Sequence, residues 1–184
     1  MAKTKHTWAA AATVAKHLTD LLKPHTRAMT FVGSLRRRCA EVSDIEFVYI
    51  PKRGPVRDGL FVSDNADLFE WHLAELIANK VLTKRENDRG VVGYGPRNKF
   101  LVHTASGIPV DVFQSTDSGW WSYLVCRTGP KESNIAIAEA ASKLGMRWDP
   151  TKGFQEADFS WFMPTTEEEV FTHVGLEFKE PKDR

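Results

Sequence analysis

Gly33-Ser34-Leu35-Arg36-Arg37, followed after a short gap by Asp44-Ile45-Glu46, is the stretch that decides the fold. Met29 to Val32 reads as a short buried strand running into the Gly33-Ser34 turn. Ser34 to Ala40 then reads as a short helix, and Ile45 to Ile50 as a second strand. Residues two apart on a strand point the same way, so Asp44 and Glu46 share a face. A third acid, Asp111, stands between Val110 and Val112 on another apolar strand. If the two strands are neighbours, three carboxylates converge on one small volume. Such a cluster repels itself unless cations occupy it, and hard oxygen ligands without His or Cys select magnesium or manganese. Two ions about 3.5–4 Å apart would activate an attacking hydroxyl and stabilise a leaving phosphate. The Gly33-Ser34 turn at a helix start offers N–H groups and a hydroxyl suited to phosphate, and Arg37, one turn on, could fork onto the same anion. The competing reading is three unrelated surface acids beside an ordinary turn.

Outward from this centre, the pattern gives an α+β order. Thr7 caps a helix from Trp8 to about Lys23, which Pro24 ends. Lys52 to Ser63, with Gly54, Pro55 and Gly59, reads as a loop, and Asn65 starts a helix through Phe69, Leu73, Leu76 and Ile77 to Lys80. Phe100–His103 and Ile108–Phe113 are strands joined by a Ser106-Gly107 turn. From Asp117 the period becomes helical, through Ser122–Val125 and again from Lys131 to Leu144, where Gly145 ends the helix. Thr165 or Thr166 caps a last helix to about Val174. The boundary between the mixed β-sheet part, with helices on one face, and a mostly helical C-terminal part falls near Gln114.

A chain of 184 residues with 42% hydrophobic and 27% charged side chains is globular, neither disordered nor fibrous. No apolar run spans a bilayer, no secretory leader pattern appears, and Cys39 and Cys126 suit a reducing intracellular compartment. There is no CxxC pair or HExxH, and the histidines lack ligand spacing, which argues against zinc. A net charge of +1 excludes a strongly basic nucleic-acid protein. Local clusters nonetheless occur. Between Lys80 and Lys99 stand Lys84, Arg85, Arg89 and Arg97, against Glu86 and Asp88. Arg36–Arg38 form a second basic cluster and Glu167–Glu169 an acidic run. On charge alone each reads as a solvated face. Trp120 and Trp121 could stack on a base, but the plainer reading puts at least one of them in the C-terminal core.

The arrangement resembles the nucleotidyltransferase superfamily, and more closely the family X DNA polymerases, over nearly the whole chain. The matching features are Gly33-Ser34-Leu35-Arg36-Arg37, the gap to Asp44, Gly107 to Phe113 with the third acid, and Thr128-Gly129 followed by Asn134. The end of the chain, Glu167–Val170 and then Glu180-Pro181-Lys182-Asp183-Arg184, also matches. The resemblance implies a palm over residues 1–114 and a nucleotide-selecting subdomain over 115–184. It implies Asp44, Glu46 and Asp111 as catalytic ligands of two Mg2+ ions, which Mn2+ can replace. It further implies Gly33, Ser34, Arg37, Ser43, Thr128, Gly129 and Asn134 around a deoxynucleoside triphosphate. Lys84, Arg85, Arg97 and Lys99 are then candidate contacts to gapped or primer-template DNA. The larger relatives' lyase domain has no counterpart here, and a monomer is expected. Glu46 replaces the usual second aspartate, Ser43 a glycine, Pro109 an arginine before the third acid, Cys126-Arg127 an aromatic pair, Pro130 a serine and Ala138 an arginine.

The implied function is a minimal metal-dependent DNA polymerase that fills short gaps in repair. The alternative is a nucleotidyltransferase acting on a small molecule, a protein or tRNA. A non-enzymatic nucleic-acid-binding relic is opposed by the intact Asp44, Glu46 and Asp111.

Overall fold

In the computed structural model, which describes residues 4–58, 61–86 and 90–184, Thr7 caps the first helix by accepting the Ala10 N–H at 3.3 Å. The elements run β1 (His6–Thr7), α1 (Trp8–Leu22), β2 (Thr26–Val32), α2 (Gly33–Arg36), β3 (Glu41–Val42), β4 (Ile45–Pro51), β5 (Arg53–Asp58) and β6 (Phe61–Asp67). They continue with α3 (Leu68–Ala78), β7 (Leu82–Lys84), β8 (Asn98–His103), β9 (Pro109–Gln114), α4 (Trp120–Thr128) and α5 (Lys131–Lys143). The chain ends with β10 (Arg147–Asp149), β11 (Gly153–Gln155), β12 (Trp161–Phe162) and α6 (Glu167–Thr172). This is a mixed α+β fold. The chain divides into one unit of residues 1–31 and 41–114 and another of 32–40 and 115–184, so Gly33–Arg37 group with the C-terminal part.

The first unit is built on a five-stranded sheet in the order β2-β4-β9-β8-β7. β4 and β9 are parallel, whereas β8 runs antiparallel to both β9 and β7. Ile45, Phe47 and Val48 of β4 and Val110 and Val112 of β9 are fully buried, as are Leu18 and Leu22 of α1 and Phe69 and Leu73 of α3. The α1 residues Ala11, Ala15, Leu18 and Leu22 fall at helical spacing on its one buried stripe. Phe69 stacks on Tyr49 with centroids 3.8 Å apart, which joins α3 to the sheet.

Two expectations for this unit change. Residues 53–58 and 61–63 are not loop: β5 and β6 pair antiparallel, and the register slips between Gly54 and Val56, where Pro55 sits. A proline lacks the N–H a ladder needs and is tolerated at such a bulge. The next helix begins at Leu68 rather than Asn65, because Asn65 and Ala66 still belong to β6 and Asp67 supplies the cap to the Glu70 N–H at 3.1 Å. Gly59, Asp88 and Arg89 lie outside the described residues.

In the second unit α4, α5 and α6 accompany a three-stranded antiparallel sheet β10-β11-β12 that the helical reading of this part missed. Its core is Val125, Ile137, Ala141, Phe154, Val170, Phe171 and Val174. Trp120 and Trp121 are both only half-buried, so neither is the central ring expected there. Thr166 caps α6 through the Glu169 N–H at 3.1 Å, and the Glu169 carboxylate accepts the Thr165 N–H at 2.6 Å.

Candidate functional site

The parallel pairing of β4 with β9 sets Glu46 directly beside Asp111. Their neighbours in the register, Ile45 with Val110 and Phe47 with Val112, are fully buried, while the two acids are half-buried. Alternation along each strand therefore turns the apolar side chains one way and both carboxylates the other. Asp44 immediately precedes β4 and, with Thr4, Ser43, Arg85, Gly107 and Pro109, lines a small cavity of about 140 Å³.

The neighbouring strands that the three-acid reading requires are thus present, but the closure of the cluster is not. Among the described residues no three His, Cys, Asp or Glu side chains come together as a metal-binding group. Asp111 Oδ1 takes a hydrogen bond from Arg85 Nη2 at 2.5 Å. The set of donors nonetheless fits a hard divalent ion: it is all carboxylate oxygen, and two of its members are paired across one register step.

In the second unit, α2 is a single turn, closed by the Arg37 N–H donating to the Gly33 carbonyl at 3.1 Å. Arg36 and Arg37, read from charge as part of a solvated face, both turn onto the end of α4. Arg36 Nη1 donates to Thr128 Oγ1 at 2.7 Å, and Arg37 Nη1 donates to the Thr128 carbonyl. Thr128 is fully buried, so its hydroxyl serves Arg36. Gly129 follows at φ +63°, and a Cβ there would stand 3.3 Å from Arg37 Nη1, so a side chain would both strain the turn and crowd the guanidinium. Asn134 donates from Nδ2 to the Cys126 carbonyl at 2.8 Å, whereas its Oδ1 is buried without a hydrogen-bond partner. The structure therefore brings Gly33, Ser34, Arg37, Thr128, Gly129 and Asn134 into one unit. Ser43 belongs with the acids in the other.

The candidate DNA contacts divide. Lys84, at the end of the sheet's edge strand, and Arg97 are exposed. Arg85 is engaged with Asp111. Lys99 is a correction: it is fully buried, pairs with Glu70, and donates to the Pro96 and Gly95 carbonyls at 3.0 and 3.2 Å. A buried, fully engaged ammonium cannot reach a phosphate backbone. Around it, burial together with Glu70 pushes Tyr94 up to about 12 and Tyr49 well above the ordinary phenol, so both phenols stay neutral.

Glu167 is a second correction. It belongs to the acidic run but is buried between Arg36 and Arg184, and Arg184 Nη2 donates to its Oε2 at 2.7 Å. Nothing in the local sequence marks this pairing, because the partners are remote in the chain. Burial pushes the Glu167 carboxyl up, but the hydrogen bonds and charges of Arg36 and Arg184 outweigh it and hold the group below its ordinary range.

Residues 123–184, all within the second unit, match the family model of the DNA polymerase beta thumb. Comparison with curated protein sequences gives no match. Among solved structures, the chain is similar to Leishmania infantum polymerase beta in a ternary P/T complex. That match has a TM-score of 0.73 at 14% identity and covers 98% of this chain and 77% of the other. The fold is polymerase beta-like. This is the fold expected from the Gly-Ser turn and the acid-x-acid strand. The β4–β9 pair of the first unit carries the acids, and the polymerase beta-like thumb carries Thr128, Gly129 and Asn134.

Proposed function

We propose that the chain is a metal-dependent DNA-directed DNA polymerase of family X type. It adds nucleoside monophosphates to a primer 3′ hydroxyl and releases pyrophosphate, filling short gaps during repair. The observation that carries this reading is the register pairing of Glu46 with Asp111, beside Asp44. Asp44, Glu46 and Asp111 would hold two divalent ions, Mg2+ or Mn2+. When bound, such ions supply the charge that acidifies the primer hydroxyl and stabilises the leaving phosphate.

The chain's own groups bind and orient the other reactant. Gly33, Ser34 and Arg37 take the triphosphate, the arginine by a charged fork and the turn by N–H and hydroxyl donors. In the first unit, Ser43 adds a hydroxyl beside Asp44. Gly129 gives the nucleotide a close approach to backbone, and the unpartnered Asn134 Oδ1 is a buried acceptor suited to a ligand's hydrogen bond. Lys84 and Arg97 are the exposed cations left for the DNA backbone, so affinity falls steeply with salt.

The test offers labelled single-stranded, recessed and gapped primers with each nucleotide, in Mg2+ and in Mn2+. Wild type is expected to extend the gapped primer. Asp111→Asn is expected to abolish extension while triphosphate binding, titrated separately, stays largely intact. Extension of none of the primers overturns the polymerase reading, and appreciable turnover by Asp111→Asn removes that residue's role.

A further inference from the structure

Four strands place one row of side chains across the sheet of the first unit. Glu46 pairs with Asp111 between β4 and β9, and Asp111 pairs with Phe100 between β9 and β8. Lys84 pairs with Leu101 between β7 and β8, so Arg85 comes next, opposite Phe100, where its N–H donates to the Phe100 carbonyl at 2.9 Å. Arg85 reaches along this row. Its guanidinium carbon lies 5.6 Å from the centre of the Phe100 ring, and its Nη2 meets Asp111 Oδ1 at 2.5 Å. The Asp111 side chain is 13% exposed and that of Arg85 30%, so the pair is screened far less than one in open water. Arg85 Nε is buried without a hydrogen-bond partner.

We infer that Arg85 is a positioning residue for Asp111, and the internal cation with which a divalent ion must compete for that carboxylate. The inference rests on the proposed metal-binding role of the three acids. A guanidinium and a divalent ion draw on the same carboxylate charge, and like charges oppose each other at this separation. Arg85 therefore weakens the affinity of the acid set for metal. The acid set of the free protein accordingly keeps Asp111 neutralised from within.

The experiment measures Mn2+ binding to the full chain without nucleotide, from the electron paramagnetic resonance signal of free Mn2+. Arg85→Gln and Arg85→Met, checked for folding by circular dichroism, are expected to bind Mn2+ about fivefold more tightly than wild type, the scale of one partly exposed ion pair. Arg85→Lys, which keeps the charge, is expected to stay near wild type. In an Asp111→Asn background the removal of Arg85 is expected to change nothing, which separates coupling through Asp111 from a general effect of net charge. Neutral variants within twofold of wild type, or the same tightening in the Asp111→Asn background, overturn the inference while leaving the metal site standing. Wild type that binds no Mn2+, or binds it equally well as Asp44→Asn, removes the proposed metal-binding role and this inference with it.

Discussion

Arg36 and Glu167, 131 positions apart in sequence, form a buried ion pair that fastens α2 to the first residue of α6. Arg184 completes the neutralisation of the same carboxylate from the other side. Because both cations hold the carboxyl below its ordinary value of 4.5, its ionised form is the one that stabilises the fold. That contribution is fully present above the unfolded-state value and is lost as pH falls through the lower folded-state value.

Glu167→Gln is therefore expected to cost about 3 kcal/mol at pH 7, since it leaves two arginines facing a neutral amide. The gap from wild type should narrow as pH drops below about 4.5. Urea unfolding of both proteins at pH 7, 5 and 3.5 measures it. A gap that stays constant over this range would show that the carboxylate's charge is not what stabilises the fold.

Lys99 separates a structural cation from a nucleic-acid contact. Lys99→Ala removes the partner of Glu70 and the donor to two carbonyls, and is expected to destabilise by about 3 kcal/mol. Lys99→Met, of similar volume, avoids the cavity but leaves the same carboxylate and carbonyls without their donor, so it should cost less than Lys99→Ala yet still at least about 1 kcal/mol. DNA affinity per folded molecule should be unchanged in both, whereas Lys84→Ala should lower the slope of log affinity against log salt by about one. A similar loss of slope in Lys99→Met would return Lys99 to the DNA path.

The acids and their strands were legible because the signal is local: an aspartate or glutamate inside an apolar run stands out at once, and Glu46 and Asp111 do pair. The same alternation held the warning about Lys99, which shares parity on β8 with the fully buried Leu101 rather than with the half-buried Phe100 and Val102. Its partner Glu70 sits on α3, and no local pattern points there. Gly54 and Pro55 marked a loop where a bulged strand pair exists, because the composition of a turn and that of a bulge coincide. β10 to β12 are only two or three residues long, too short for a period to register.

Arg37→Ala tests the triphosphate role. One charged hydrogen-bonding partner contributes roughly 1.5–3 kcal/mol, so nucleotide affinity should fall by about 12- to 160-fold with little change in primer binding. Arg37→Lys should recover only part of this, because an ammonium cannot fork. Fluorescence titration of nucleotide and of labelled DNA, done separately, reads both. If primer affinity collapsed while nucleotide affinity held, Arg37 would belong to the DNA path.

Gly153 opens β11 at φ +123°, a region that side chains rarely enter. An added Cβ would lie 2.3 Å from the Phe162 carbonyl oxygen, 3.2 Å from Pro164 Cδ and 3.3 Å from Met163 Cα. The first is a backbone atom of the partner strand β12, so no rotamer change can relieve the contact. Gly153→Ala therefore carries two costs. Backbone strain contributes of order 1–3 kcal/mol, and the separation of β11 from β12 adds to it. The neighbouring Phe154 is fully buried in the core of the second unit, so the displacement is passed to Val170 and Phe171. The expected loss is at least about 2 kcal/mol, confined to the second unit. Hydrogen exchange on the intact chain checks it: protection should fall in α4, α5 and β10–β12 while the amides of β4 and β9 keep theirs. Uniform loss of protection over both units would mean that they unfold together, and full protection would mean that the hairpin accommodates the methyl group.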